Sequence, residues 1–290
     1  MKPLDIFFAI LVALIWGCNF VAAKFGVAFF PPFLLTALRF TFVSMILIPF
    51  VARPNWEQMK KIIVLSTMST LHFSLIFVAL YWGLDIASGA LLGQLGVVFA
   101  CICGAVFLND RLGLWRIGGI VIAFIGTAIV AGAPNIMAHL PSFYAALGSN
   151  LAWGVANVLI KKIHGLHSMA LLAWTGLCTV PMLLLLSLLF EPHWPHLADV
   201  PLSAALGLTF TVLCSTIIAY GLWYHLLTHH NVSQVTPYSL LTPIFGIAGG
   251  ELFFKEELTS QIVLGGLVTI IGVAVIVIRR PKTILLGEAT

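Results

Sequence analysis

Charge is the first thing missing from this sequence. Only 8% of its 290 residues are Asp, Glu, Lys or Arg, against about 25% in an ordinary soluble domain. A chain of this size cannot cover a water-facing surface with so few charges, which excludes a soluble globular fold. Cysteine chemistry is missing too. Cys18, Cys101, Cys103, Cys178 and Cys214 are odd in number, lie inside apolar runs and form no Cys-x-x-Cys pair. They read as small packing residues rather than a disulfide framework or a thiolate metal site. No basic stripe with interleaved aromatics is present, so nucleic acid is not an expected partner. No phosphate-binding loop or nucleophile elbow occurs. The histidines at His193, His196, His229 and His230 lack a matching carboxylate or cysteine set. An enzyme, a metal site and a cofactor are therefore not expected. No ring of like charges or filter-like segment speaks for a channel.

What the sequence has in abundance is apolar length. It is 61% hydrophobic, with a mean hydropathy of +1.10. A membrane span needs roughly 20 apolar residues, and the chain divides into ten such runs. In the first half they are Asp5–Ala23, Phe33–Val51, Ile62–Tyr81, Ala87–Leu108 and Leu114–Ala131. In the second they are Ser142–Lys161, Ala170–Phe190, Ser203–His225, Ser233–Phe254 and Gln261–Ile278. Breaker residues separate them, as at Pro31-Pro32, Arg53-Pro54-Asn55, Ala133-Pro134-Asn135 and Glu191-Pro192-His193. The expected fold is an all-α integral membrane protein.

Lys and Arg set the orientation. With the N-terminus in the cytoplasm, that side receives Lys2, Arg53, Lys60, Lys61, Arg111, Arg116, Lys161, Lys162, Arg279, Arg280 and Lys282. The opposite side receives Lys24 and Lys255 alone, and Arg39 lies inside the second span. Both termini are thus expected in the cytoplasm of a cell with the protein in its inner membrane. Lys2 and the following apolar run resemble a signal peptide, but a removable leader has no reason to recur inside the chain, and this segment does.

The recurrence is specific. Trp16-Gly17-Cys18-Asn19-Phe20, ending at Lys24, resembles Trp153-Gly154-Val155-Ala156-Asn157, ending at Lys161, 137 residues later. Phe107-Leu108-Asn109-Asp110-Arg111-Leu112 resembles Phe253-Phe254-Lys255-Glu256-Glu257-Leu258 at a spacing of 146, which also carries Gly119 and Gly126 onto Gly265 and Gly272. Five spans per copy is an odd number, so the second copy, residues 142–280, enters the membrane upside down relative to the first, residues 1–133. Inverted repeats in transporters place the substrate site at the repeat interface near the bilayer midplane.

These motifs, together with Arg39-Phe40 and the glycine-rich fifth and tenth helices, resemble the EamA branch of the drug/metabolite transporter superfamily. The resemblance covers about residues 5 to 279. It implies ten helices, alternating access, and export of amino acids or related metabolites. One departure concerns Thr242-Pro243 in the ninth helix, whose fourth-helix equivalents are Gly96 and Val97. Any hinge at Pro243 is then expected to be asymmetric.

Polar groups in hydrocarbon need partners, so each one is informative. Asn19 and Asn157 lie beside the duplicated Trp-Gly, and an amide that both donates and accepts suits a zwitterion as well as it suits a helix-to-helix bond. Trp16 and Trp153 are candidate cavity walls, with Phe20, Phe73, Tyr220 and Tyr224 as further lining. Gln94 and Thr242 are the next polar candidates, and Tyr238 lies one helical turn before Thr242. Pro237 and Pro243 remove backbone donors around them. Arg39 either binds a substrate carboxylate or braces neighbouring carbonyls, with bracing the preferred reading. His72 and His225 are candidates for proton coupling, as is Glu251 near the outer end of the ninth helix. Gly118, Gly119 and Gly126, with Gly265, Gly266 and Gly272, read as close-packing faces.

The expected function is a secondary transporter that exports small amino acids or related metabolites by alternating access, with the lipid bilayer as its other partner. The sequence leaves monomer and dimer open. The competing expectation is a multidrug exporter of lipophilic cations. Half-sized relatives of that kind exchange protons at a glutamate inside their first helix, whereas here the first helix holds only Asp5, at its end.

Overall fold

The computed structural model describes residues 1–108, 113–191, 193–230 and 235–278. Every regular element among them is helical. The first half comprises α1 (Pro3–Val27), α2 (Pro32–Leu47), α3 (Trp56–Tyr81), α4 (Ile86–Gly93), α5 (Leu95–Leu108) and α6 (Leu114–Ala131). A one-turn helix, α7 (Pro134–Ala138), leads to α8 (Leu140–Lys161), α9 (Ser168–Phe190), α10 (Leu202–Thr209), α11 (Ala219–His229), α12 (Thr242–Phe254) and α13 (Ser260–Ile278). Among the described residues nine helical stretches are long and apolar enough to span a membrane. The ninth expected span is shorter, an apolar stretch over Tyr238–Phe254. The motif Asn109-Asp110-Arg111-Leu112 and the basic residues Arg279, Arg280 and Lys282 lie outside the described residues.

The helices begin where local chemistry allows. Proline occupies the first turn of α1, α2, α8 and α12, where its missing N–H is no loss. Asn55 caps α3: its side chain accepts from the Gln58 amide at 2.9 Å, and Gln58 Oε1 accepts from the Asn55 amide at 2.9 Å. This capping box starts α3 at Trp56, six residues before the apolar run does, because a polar first turn outside the lipid is still a good helix.

Four expected spans are not continuous α-helix, the second only in closing as a 3₁₀ turn over Ile48–Phe50. The fourth breaks at Gln94, whose amide bonds the Leu91 carbonyl, while Val97 bonds the Gln94 carbonyl, each three residues apart. The eighth runs through a π-helical segment, Phe210–Ile218, between α10 and α11. The ninth starts as 3₁₀-helix over Thr236–Leu241 before α12. The fourth-span break needs no proline, and under the 146-residue spacing it falls where the ninth changes winding. The asymmetric hinge expected at Pro243 is therefore not what the backbone displays. Pro243 sits in the first turn of α12, and both spans are interrupted at equivalent positions.

Packing is tightest where glycines meet. A Cβ on Gly119 would lie 2.7 Å from the Gly272 carbonyl, and one on Gly272 would lie 2.7 Å from the Gly119 carbonyl. Gly126 and Gly265 face each other in the same reciprocal way, at 2.6 Å each. α6 and α13 therefore cross antiparallel, backbone against backbone, a close approach that only small residues permit. Gly118 lies on the open side, with nothing within 4 Å of its Cβ position. It is no part of that face. Elsewhere α2 packs on α9, α3 on α8, α8 on α5, and α1 on both α12 and the eighth span. Large apolar residues such as Leu188, Leu189, Leu264, Leu267 and Ile271 point outward, as a surface solvated by lipid requires.

Gly272→Leu should overpack the α6–α13 crossing and cost about 1–3 kcal/mol, whereas Gly118→Leu should change stability by no more than about 0.5 kcal/mol. Thermal unfolding in detergent checks the pair; equal transition temperatures for the two variants would contradict this packing.

Candidate substrate site

Two aromatic arms reach into the middle of the bundle, one from each duplicated Trp-Gly. On one side Trp16 of α1 meets Tyr220 and Trp223 of α11, with ring centroids 5.6 and 5.2 Å away. On the other, Trp153 of α8 lies 5.0 Å from the His72 ring of α3, which in turn lies 4.6 Å from Phe73. The adjoining glycines make this possible. A Cβ on Gly17 would be 2.6 Å from Phe245 Cβ, and one on Gly154 would be 2.8 Å from Phe99 Cβ. Phe99 and Phe245 are themselves 146 residues apart. Each glycine thus lets its helix press against the fourth or ninth span at an equivalent place.

Arg39 of α2 stands between the arms, only 3% exposed. Its guanidinium carbon sits 4.9 Å over the Phe73 ring and 5.6 Å from that of Phe40. Its Nε and Nη2 donate to Thr216 Oγ1 at 3.0 and 2.9 Å. The Thr216 hydroxyl donates to the Thr211 carbonyl at 2.7 Å, five residues back, a reach that the π-helical winding provides. So Arg39 braces a hydroxyl on the eighth span rather than carbonyls.

His72 Nδ1 lies 2.9 Å from both the carbonyl and the hydroxyl of Ser149, and that hydroxyl donates to the His72 carbonyl at 2.9 Å. This pattern assigns the proton to Nδ1 and leaves Nε2 as an acceptor.

The remaining candidates are less uniform. Asn157 spends a donor on the Trp153 carbonyl at 2.8 Å. Asn19 Oδ1 and Thr242 Oγ1 are buried with no hydrogen-bond partner. Gln94 Nε2 makes one long approach, 3.5 Å, to the Ser239 carbonyl, and the Phe20 ring lies beside Gly89 and Gly93 of α4. Tyr238 does not share a face with Thr242, because the segment between them is 3₁₀-helix with three residues per turn; it packs instead beside Leu226 and Val235. His225 is exposed at the face where α1 begins, the terminal face, 6.4 Å from Phe8 and 4.3 Å from His229. Glu251 is exposed in the last turn of α12, at the opposite, far face. The Tyr224 side chain lies outside the described residues.

Sequence reasoning missed the far-face carboxylates. Glu256, only 10% exposed, accepts from the Lys24 ammonium at 2.5 Å and from the Ile86 amide at 2.8 and 2.9 Å, with the Ala87 amide at 3.2 Å. One carboxylate thereby holds the end of α1 and the N-terminus of α4, whose dipole favours an anion. Beside it, burial pushes the Asp85 carboxyl up while the Ser88 amide and hydroxyl it accepts from pull the other way. Glu191 does the same for α2, accepting from the Phe33 and Leu34 amides at 2.7 and 3.0 Å. The available signal was an acid just past an apolar run with a helix N-terminus needing donors satisfied on the same side.

The model of the EamA-like transporter family matches residues 4–132 and again 140–278. A protein of Salmonella typhimurium named a probable amino-acid metabolite efflux pump is 32% identical, the alignment covering 94% of each chain. One of Escherichia coli with the same name is 29% identical over 99% of this chain and all of that one. A crystal structure 20% identical superposes with a TM-score of 0.64, covering 95% of this chain and 98% of that one, a likeness of fold alone.

Glu256→Ala should cost about 2–3 kcal/mol, below the figure for a fully buried pair because Lys24 keeps some water. Lys24→Met should cost about 1 kcal/mol, since Glu256 retains its backbone donors. Chemical unfolding that ranks the two variants the other way would show that the cap on α4 is not what matters.

Proposed function

Because this chain belongs to the EamA-like transporter family, we propose that it exports small amino acids or related metabolites across the bacterial inner membrane by alternating access. The site is the space between the two aromatic arms. The halves, residues 1–133 and 142–280, act as inverted five-helix repeats that rock about it, and both termini face the cytoplasm. Convergence of Trp16 and Trp153, one from each half, on the region of Arg39 carries this reading.

Three observations support it. The antiparallel crossing of α6 and α13 through reciprocal glycines is what a two-fold axis in the membrane plane would produce. The names of the relatives point to amino-acid metabolites. Asn19 Oδ1 and Thr242 Oγ1, buried without partners where α1 and α12 touch, offer acceptors to an ammonium group. Export of lipophilic cations fits less well, since Arg39 places a positive charge at the centre and Asp5 is paired with His230 at 2.9 Å on the terminal face.

Purified protein in liposomes should give saturable flux of at least one labelled amino acid from a full panel. Trp16→Ala and Trp153→Ala should each reduce that flux about tenfold, equivalent to about 1.4 kcal/mol. A panel with no saturable flux would remove the amino-acid reading.

A further inference from the structure

We propose that Arg39 is the carboxylate-recognition residue of the central site, so that the protein selects solutes bearing a free carboxylate and rejects the matching esters and amines. The inference rests on the transport reading above and narrows its substrate class.

A guanidinium is charged at any physiological pH, and an isolated charge inside a membrane protein is costly unless something neutralises it. Arg39 is nearly inaccessible, yet among the described residues no carboxylate lies within ion-pair distance of it. What surrounds it is a neutral hydroxyl, two aromatic faces and the Tyr220 phenol. Contrast Lys24 at the far face, which has Glu256.

The geometry of the brace adds to this. Thr216 takes the Nε–Nη2 edge of the guanidinium. Nη1 has no acceptor among the described residues. The Nη1–Nη2 edge is therefore left with two parallel N–H donors, the fork that matches a carboxylate bidentately. The same brace fixes the fork's direction, since the Thr216 hydroxyl is itself held by the Thr211 carbonyl. Bracing and carboxylate recognition are thus two edges of one group. The aromatic rings around it provide apolar surface for a side chain. The 137-residue spacing carries Arg39 onto Gly176, so the second half supplies no equivalent cation and the site binds one carboxylate.

The test is a thermal-shift titration of purified protein with amino acids paired with their methyl esters. Leucine, 4-methylpentanoate and 3-methylbutylamine serve as a set that removes one charge at a time. At least one amino acid should half-saturate the wild type at a concentration tenfold or more below its ester. The acid of the leucine set should retain binding that the amine lacks. Arg39→Gln should bring the acid-to-ester ratio below about twofold, and Arg39→Lys should keep part of it. Thr216→Val, which frees the fork's direction but keeps its charge, should lower the unfolding temperature and weaken the preference by less than Arg39→Gln does. A wild type with no preference for acids over esters, or one stabilised equally by chloride or phosphate, would overturn the proposal whatever the variants do. So would a folded Arg39→Gln protein that keeps the preference. Flux without carboxylate preference would remove this role and leave export standing; preference in binding without flux would do the reverse.

Discussion

Helices already in lipid gain little from burying apolar surface against one another, so close backbone contact at small residues has to set how they pack. Gly119 with Gly272, and Gly126 with Gly265, bring α6 and α13 to carbonyl contact. Gly17 and Gly154 do the same for α1 against α12 and for α8 against α5. A side chain at any of these positions would meet backbone rather than a flexible tip, so the contacts are close to all-or-none. Trp16 and Trp153 each precede one of these glycines in the chain, and the depth to which their rings reach follows from how far the glycines let the helices approach.

Hydrogen bonding imposes the second constraint. Inside the bundle many hydroxyls turn back on their own helix: Ser66, Thr70, Thr127 and Thr269 each donate to the carbonyl four residues earlier. At the far face Glu191 and Glu256 satisfy the first amides of α2 and α4 across the fold. Against that accounting, the open edge of Arg39 and the unpartnered oxygens of Asn19 and Thr242 stand out, while Ser74 Oγ, Thr175 Oγ1 and Arg116 Nε are buried without partners elsewhere. Asn19 lies on α1 beside Trp16, Thr242 lies on α12 where α1 packs against it, and Arg39 of α2 lies against Phe73.

Much of the architecture was legible as composition and spacing. Apolar runs delivered the helices, and α6 matches its expected bounds at both ends. The duplicated Trp-Gly led to the two arms. What hydropathy could not reveal was winding. The π-helical stretch Phe210–Ile218 and the 3₁₀ stretch Thr236–Leu241 are as apolar as their neighbours, and only the hydrogen-bond pattern distinguishes them. That hid the Thr216 partner of Arg39 and made Tyr238 look like a neighbour of Thr242. Long-range caps were equally hidden, since Glu256 acts on residues some 170 positions earlier. His225 and Glu251 lie near span ends in the sequence too, but only the structure shows both exposed there rather than turned into the bundle.

Alternating access as proposed requires the two halves to enter the membrane in opposite senses. Pro54 follows the second span and His193 the seventh, so they are equivalent loops of the two proposed repeats. Single cysteines at these positions, in a chain with the five native cysteines replaced, would be labelled in intact cells and in inverted vesicles with a membrane-impermeant maleimide. Pro54→Cys should react only from the cytoplasmic side and His193→Cys only from the opposite side. Labelling of both from the same side would contradict the inverted arrangement.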